Sequence, residues 1–186
     1  MGGVRAANPR VSFADLERWT DDGRRYELYD GEVFVIPSPI LLHQIVSGRL
    51  HLALNDYVNE YGGIVLYAPL DIVLTEYDVV QPDLLLFVEE RRDLLNLRQV
   101  TRVPPDLAIE ILSPGTVRND RGRKKQLLGR HGVREYWLVD PQAISIEVMA
   151  LHGDEFVTAG LATGAACIES PLLPALRLSP ADLVPE

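Results

Sequence analysis

The sequence predicts an α/β domain of mixed α+β type: a central mixed β-sheet flanked by helices, preceded by an N-terminal helix and a β-hairpin. Three observations predict it. Short apolar runs bounded by turn residues are interleaved with two longer stretches of helical periodicity. One of those stretches lies between the strand-like runs Leu107–Leu112 and Glu135–Val139, where a helix can connect parallel neighbours. The chain has 186 residues, 47% hydrophobic and 24% charged, which suits one domain with a sizeable core and not two. A single domain over 1–186 follows, with its core at about 13–158 and a C-terminal extension at 159–186.

Taken in order, Ser12 before FADLERW reads as a capped helix, with Asp15 at the capping-box distance. Arg25–Tyr29 and Glu32–Ile36 flank Asp30-Gly31, a strong hairpin signal. Ser38-Pro39 is placed as N-cap and first residue of a long helix, whose buried face carries Leu42, Val46, Leu50, Ala53 and Tyr57. Gly62-Gly63 ends that helix. Strands are expected at Ile64–Tyr67, Leu70–Leu74, Asp83–Val88 and Leu107–Leu112. Asn119 or Asp120 is expected to cap a helix running to about His131, closed by Gly132. Strands follow at Glu135–Val139, Ile144–Ala150 and Phe156–Thr158, and Ser179-Pro180-Ala181-Asp182 starts a last helical turn.

Composition narrows the function classes. The lone cysteine, Cys167, excludes an internal disulfide and reads as a buried or half-buried small residue. Residues 1–10 lack the apolar run of a secretory signal, and the longest apolar runs, such as Leu84–Val88, are too short to span a bilayer, so a soluble cytoplasmic protein with no membrane partner is expected. The net charge of −9 argues against a nucleic-acid partner, yet seven of the 18 basic residues fall within 117–134. That basic strip suits a phosphate backbone and equally a solvated helix face.

Glu110 is the most informative residue. Its neighbours in Leu107–Leu112 are all apolar, and alternation puts Ile109 and Ile111 on one face and Ala108, Glu110 and Leu112 on the other. A carboxylate there requires a cation, a hydrogen-bonding set or a proton; a buried salt bridge or an exposed edge strand would also accommodate it. Asp83 stands at the entrance of a second buried strand, behind Pro82. Carboxylates on adjacent central strands form a hard oxygen site suited to Mg²⁺ or Mn²⁺. Lys124 shares a helical stripe with Leu127, Leu128 and His131, whereas Lys125 is turned toward solvent. A docked Lys124 could orient or deprotonate a water or stabilise phosphoryl charge; a snorkelling lysine with a solvated head fits the same stripe.

These residues resemble the Uma-two family of restriction-endonuclease-like proteins in the PD-(D/E)XK superfamily. The likeness is carried by Pro82-Asp83, Glu110 in a strand ending at Ser113-Pro114, Lys124, and the run from Gly132-Val133-Arg134-Glu135-Tyr136-Trp137 to Asp140-Pro141. It extends upstream through Tyr26–Glu32, His43-Gln44 and Ala68-Pro69-Leu70-Asp71, covering about residues 13–184. The resemblance implies a restriction-endonuclease-like fold and a Mg²⁺- or Mn²⁺-dependent endonuclease with DNA as the expected substrate. Asp83 and Glu110 would hold the ion and Lys124 would assist. Glu27, favoured over Glu32, would be the extra acidic residue from the N-terminal region. The superfamily's usual lysine, two residues after the glutamate, is here Leu112, and Lys124 on the following helix takes its place. The family often has a tyrosine four residues after that lysine; this chain has Leu128.

On this reading Arg118, Arg121 and Arg123 contact the nucleic-acid backbone. His43 could approach a phosphate or a metal-held water, though a lone histidine at a helix start is more often structural; His51, His131 and His152 show no ligand pairing. Two other classes fit the same residues: a non-catalytic interaction protein that has kept the fold, and a small-molecule metal phosphodiesterase suited to an acidic protein. A homodimer or higher oligomer is an option through an exposed edge at Ile144–Ala150 or Phe156–Thr158.

Overall fold

The computed structural model describes residues 9–185, so most of the segment read for a leader lies outside the described residues. The opening helix α1 (Phe13–Leu16) is one turn long and carries the expected capping box: Ser12 Oγ accepts from the Asp15 amide (3.2 Å), and Asp15 accepts from the Ser12 amide (3.0 Å). Strands β1 (Arg25–Tyr29) and β2 (Glu32–Ile36) form the hairpin, with Tyr29 opposite Glu32. Asp30 (φ 53°) and Gly31 (φ 77°) are both left-handed, as a two-residue type I′ turn requires.

Helix α2 (Leu41–Tyr61) begins later than expected. Its N-cap is Ile40, with no side-chain hydrogen bond, so Ser38 and Pro39 belong to the approaching loop. Strand β3 (Ile64–Tyr67) follows, then β4 (Ile72–Thr75), shifted by two residues at its start, and β5 (Asp78–Val80), a short strand that carries too few residues to show alternation. Beyond β6 (Leu84–Phe87) and a 3₁₀ stretch (Glu89–Leu94) comes β7 (Leu107–Ile111).

The helix after β7 is three pieces: α3 (Val117–Asn119), a π turn (Asp120–Lys124) and α4 (Lys125–Arg130). Its N-cap is Thr116 and not Asn119 or Asp120, both of which are buried inside the helical run. The Tyr136 hydroxyl donates to the Asp120 carbonyl (3.0 Å), occupying an acceptor in this widened turn. Strands β8 (Glu135–Asp140), β9 (Ser145–His152) and β10 (Glu155–Thr163) then form a meander, and α5 (Pro180–Leu183) closes the chain.

Two sheets result. The first, antiparallel, has the order β2-β1-β5-β4; the second, mixed, has the order β10-β9-β8-β7-β6-β3. Its parallel pair is β7 with β8, joined across the sheet by the α3–α4 helical run as expected. Because β9 pairs on both sides, residues 144–150 offer no free edge; β10 does. One face of the large sheet packs Leu84, Leu86, Ile109, Ile111 and Trp137 against Val46, Leu50 and Leu54 of α2. The same cluster includes Ile168, Leu173, Leu176, Leu178 and Leu183, so the segment from 159 is built into the core and is no appendage. The other face packs Leu85, Ala108, Tyr136 and Leu138 against Leu127 and Leu128 of α4 and against Tyr29, Ile72 and Val80 of the small sheet. Cys167, expected to be at least half-buried, is exposed.

Candidate active site

The site forms where the second face of the large sheet meets the small sheet and the π turn. Leu84 pairs with Ile109, so extending that antiparallel register by one residue sets Asp83 alongside Glu110. The Ile111 amide donates to Asp83 Oδ2 (2.8 Å), holding the carboxylate at the strand entrance. Alternation turns Glu110 toward the helical run, as expected from its apolar neighbours. Glu27 lies in the buried half of β1 and reaches the site from the opposite sheet.

Lys124 joins these carboxylates. Its Nζ lies 2.8 Å from Glu27 Oε1, 2.9 Å from Glu110 Oε1 and 3.7 Å from Asp120 Oδ1, and all four side chains are at most 5% exposed. Burial alone would lower the Lys124 amine, but Glu110 and Glu27 outweigh it and hold the group well above its ordinary value. Lys124 therefore stays an ammonium. It is placed to stabilise negative charge, one of the three roles expected for it. Burial pushes Glu110 above the usual carboxylate range, and Lys124 pulls it partly back. Burial also raises Asp120, to about 6.

A second layer orients the first. Glu27 accepts from the Tyr29 hydroxyl (2.7 Å) and the Gln81 amide (2.8 Å), and Asn119 Nδ2 lies 2.6 Å from the same tyrosine oxygen. His43 Nε2 lies 3.0 Å from Asp83 Oδ2, so the histidine braces a site carboxylate. With the Ile111 amide on that same oxygen, Asp83 Oδ1 is left free of hydrogen bonds among the described residues, as is Glu110 Oε2.

Asp83, Glu110, Lys124 and Glu27 are thus brought together, and Glu32 is not: it pairs with Arg123 (2.8 Å) at the surface. Arg121 pairs with Glu147 (3.2 Å), while Arg118 is exposed and makes no ion pair among the described residues. Sequence reasoning missed Asp120, Tyr29, Asn119 and Gln81. Asp120 lies one helical turn before Lys124 on the same side, a spacing that could have found it.

Glu27, Asp83, Glu110, Asp120 and Lys124 line a cavity of about 190 Å³ together with Arg25, Phe34, Ile36, His43, Gln81 and the Ser113–Thr116 loop. A larger, shallower cleft of about 510 Å³ beside it holds Trp19, Tyr26, Arg24 and Asp22 and shares Arg25 and Gln81. The chemistry belongs in the smaller cavity, because the carboxylates and the ammonium are there. Four carboxylates face one ammonium, an excess of negative charge that suits a divalent cation. Among the described residues no three Asp, Glu, His or Cys side chains converge to cage an ion unaided. The donor set fits Mg²⁺ or Mn²⁺, which take one or two carboxylates and keep several waters.

This fold has a solved counterpart. The chain superposes on the crystal structure of "a putative nuclease belonging to DUF820" from Anabaena variabilis ATCC 29413 with a TM-score of 0.77 at 20% identity, covering 93% of this chain and 97% of that one. Residues 13–181 match the family Uma2, described as "Putative restriction endonuclease", and the chain belongs to that family. It is also 24% identical over 151 residues to the uncharacterised protein slr1290 of Synechocystis sp. (strain ATCC 27184 / PCC 6803 / Kazusa), covering 78% of this chain and 77% of that protein. No helix of the described residues is long and apolar enough to cross a membrane.

Proposed function

We propose that the protein is a divalent-metal-dependent endonuclease that hydrolyses phosphodiester bonds of nucleic acid, with DNA as the favoured substrate. The observation that carries this reading is the buried Lys124 ammonium clamped between Glu27 and Glu110, beside Asp83, at the wall of a solvent-accessible cavity. Asp83 and Glu110 would hold Mg²⁺ or Mn²⁺ through the oxygens that carry no internal hydrogen bond. When bound, the ion supplies Lewis-acid polarisation and neutralises phosphate charge. Lys124 presents fixed positive charge to the phosphoryl group as negative charge develops on its oxygens. Glu27 keeps that ammonium protonated and in place, and His43 with the Ile111 amide fixes which Asp83 oxygen faces the cavity. Of the three arginines expected to meet the backbone, Arg118 is the one that makes no ion pair among the described residues.

The test is cleavage of plasmid DNA and of RNA by purified protein with Mg²⁺, with Mn²⁺ and with EDTA. Cleavage that requires the ion and is lost in Glu110→Ala is the expected result. Absence of cleavage by a protein that binds Mn²⁺ in calorimetry would overturn the endonuclease reading. A second reading, a metal phosphodiesterase for small molecules, is favoured by the net charge of −9 and by Arg121 and Arg123 being engaged with Glu147 and Glu32. Turnover of bis(p-nitrophenyl) phosphate without plasmid cleavage would select it.

A further inference from the structure

Asp120 is the one site carboxylate with no hydrogen bond to either oxygen among the described residues. It is 1% exposed and lines the cavity. The Thr116 hydroxyl, one turn earlier, lowers the Asp120 carboxyl and lies 3.0 Å from Ser113 Oγ, where either hydroxyl can donate. The nearest ammonium, Lys124, stands at 3.7 Å and is already engaged by Glu27 and Glu110 at 2.8 and 2.9 Å. A buried carboxylate with both oxygens idle is costly, and in native proteins such groups are satisfied by an ordered water, an ion or a ligand. The Tyr136 hydroxyl donates to the backbone carbonyl of the same residue, which holds the Asp120 backbone within the π turn at the cavity wall. Lys124 Nζ already donates to Glu27 and Glu110, so the idle oxygens of Asp120 are the free acceptors nearest the ammonium.

We infer that Asp120 holds the attacking water and accepts its proton. This rests on the phosphodiesterase reading of the site. In the step, the water oxygen forms a bond to phosphorus while one of its protons passes to an Asp120 oxygen. The bond from phosphorus to the leaving oxygen breaks with its electron pair, and that oxygen takes a proton from solvent. Asp120 later returns its proton to solvent, so nothing is consumed but water. The groups that face it are Lys124 from its own helical run, Glu110 of β7, Glu27 of β1, Asp83 ahead of β6 and Tyr136 of β8. Burial places the Asp120 carboxyl at about 6, where it is ionised at neutral pH and still basic enough to take a proton.

The test combines Asp120→Asn and Asp120→Glu with three measurements on the full chain: Mn²⁺ calorimetry, kinetics on bis(p-nitrophenyl) phosphate, and a crystal structure with Mn²⁺. For Asp120→Asn, kcat is expected to fall about 10²–10⁴-fold, the contribution of a positioned base, with KM and Mn²⁺ affinity within a factor of about three. The acid limb of the wild-type kcat profile, near pH 6, disappears in Asp120→Asn and is kept by Asp120→Glu. The structure should show a water within hydrogen-bond distance of an Asp120 oxygen. Unchanged kcat, a parallel loss of Mn²⁺ affinity, or density for the ion itself on Asp120 would each overturn the inference and leave the nuclease reading standing. Wild type that binds no Mn²⁺ or turns over neither this ester nor plasmid overturns both.

Discussion

The two ends of the parallel pair β7–β8 hold buried carboxylates in opposite conditions. At the N-terminal ends, Asp106 accepts from the Val88 amide (3.0 Å), Arg91 (3.0 Å) and Arg134 (3.5 Å). Glu135 accepts from Trp137 Nε1 (2.9 Å), Ser170 Oγ (2.7 Å) and the Leu172 amide (2.5 Å). Every oxygen there is used, by donors that belong to the fold. At the other end, among the described residues, Asp83 and Glu110 each keep an oxygen free of internal hydrogen bonds, and Asp120 keeps two. The first arrangement spends carboxylates on tying α/β connections and the tail to the sheet. The second withholds hydrogen-bond capacity from the fold, which is what a site awaiting cation, water and phosphate requires, and it lies where ligands of α/β sheets gather, at the strands' carboxyl end.

The largest effect should come from taking the cation out of the second arrangement. Lys124→Met leaves Glu27 and Glu110 buried without a counter-ion, and a loss of about 3–5 kcal/mol in unfolding free energy at pH 8 is expected. The loss should shrink on acidification, since the stranded carboxylates can then bind protons. Urea titrations at pH 8 and pH 5 check this. A pH-independent loss would mean that Lys124 contributes packing and little charge.

Glu135→Ala tests the other end. It strands three donors at once, and a destabilisation of about 3 kcal/mol is expected, with phosphodiester turnover per folded molecule unchanged. A loss of turnover beyond the loss of folded protein would couple the two ends and break the comparison.

The two ends were unequally legible in the sequence. Glu110 stood out because every neighbour in its strand is apolar, and Lys124 because it shares a stripe with Leu127 and Leu128. The second sheet was half visible: the Asp30-Gly31 turn is local chemistry, whereas the pairing of Leu28 with Val79 depends on contacts 51 residues apart. Asp120 was hidden by its own chemistry, since an aspartate near a helix start is normally a cap, and here a π turn draws it into the interior. Asp106 and Glu135 were invisible as a functional contrast, because their partners Arg91, Ser170 and Leu172 are remote in the chain. His43 was visible as a polar residue at a helix start, but its bond to Asp83 spans 40 positions and no periodicity reports it.

Asp120 makes the difference between the ends measurable by pH. Its folded value of about 6 lies above the ordinary 3.8, so the folded state binds the proton more tightly than the unfolded chain does. The resulting stabilisation is present below 3.8 and is lost as pH rises through about 6. By pH 8 the loss is about 2–3 kcal/mol, because each pH unit separating the folded and unfolded values is worth about 1.4 kcal/mol. Asp120→Asn lacks this component. Thermal unfolding in EDTA should therefore favour the variant over wild type increasingly from pH 5 to about pH 7 and level off above that. A constant difference across that range would place Asp120 with the satisfied carboxylates of the other end.

The smallest effect belongs to the rim of the site, where the arginines divide by the same criterion of engaged against free. Arg121 and Arg123 are held by Glu147 and Glu32, and Arg123 also lies over the Tyr29 ring at 5.2 Å. Arg118 is held by no carboxylate among the described residues. Arg118→Ala should weaken binding of the Glu110→Ala protein to plasmid DNA only a few-fold and lower the slope of log affinity against log salt by about 1, the signature of one phosphate contact. Arg121→Ala should move that slope less, because freeing Glu147 adds a negative charge beside the path as the positive one is removed. Equal slopes for the two variants would mean that the internal ion pairs open on binding, and that engagement within the free protein does not decide which arginines meet the phosphates.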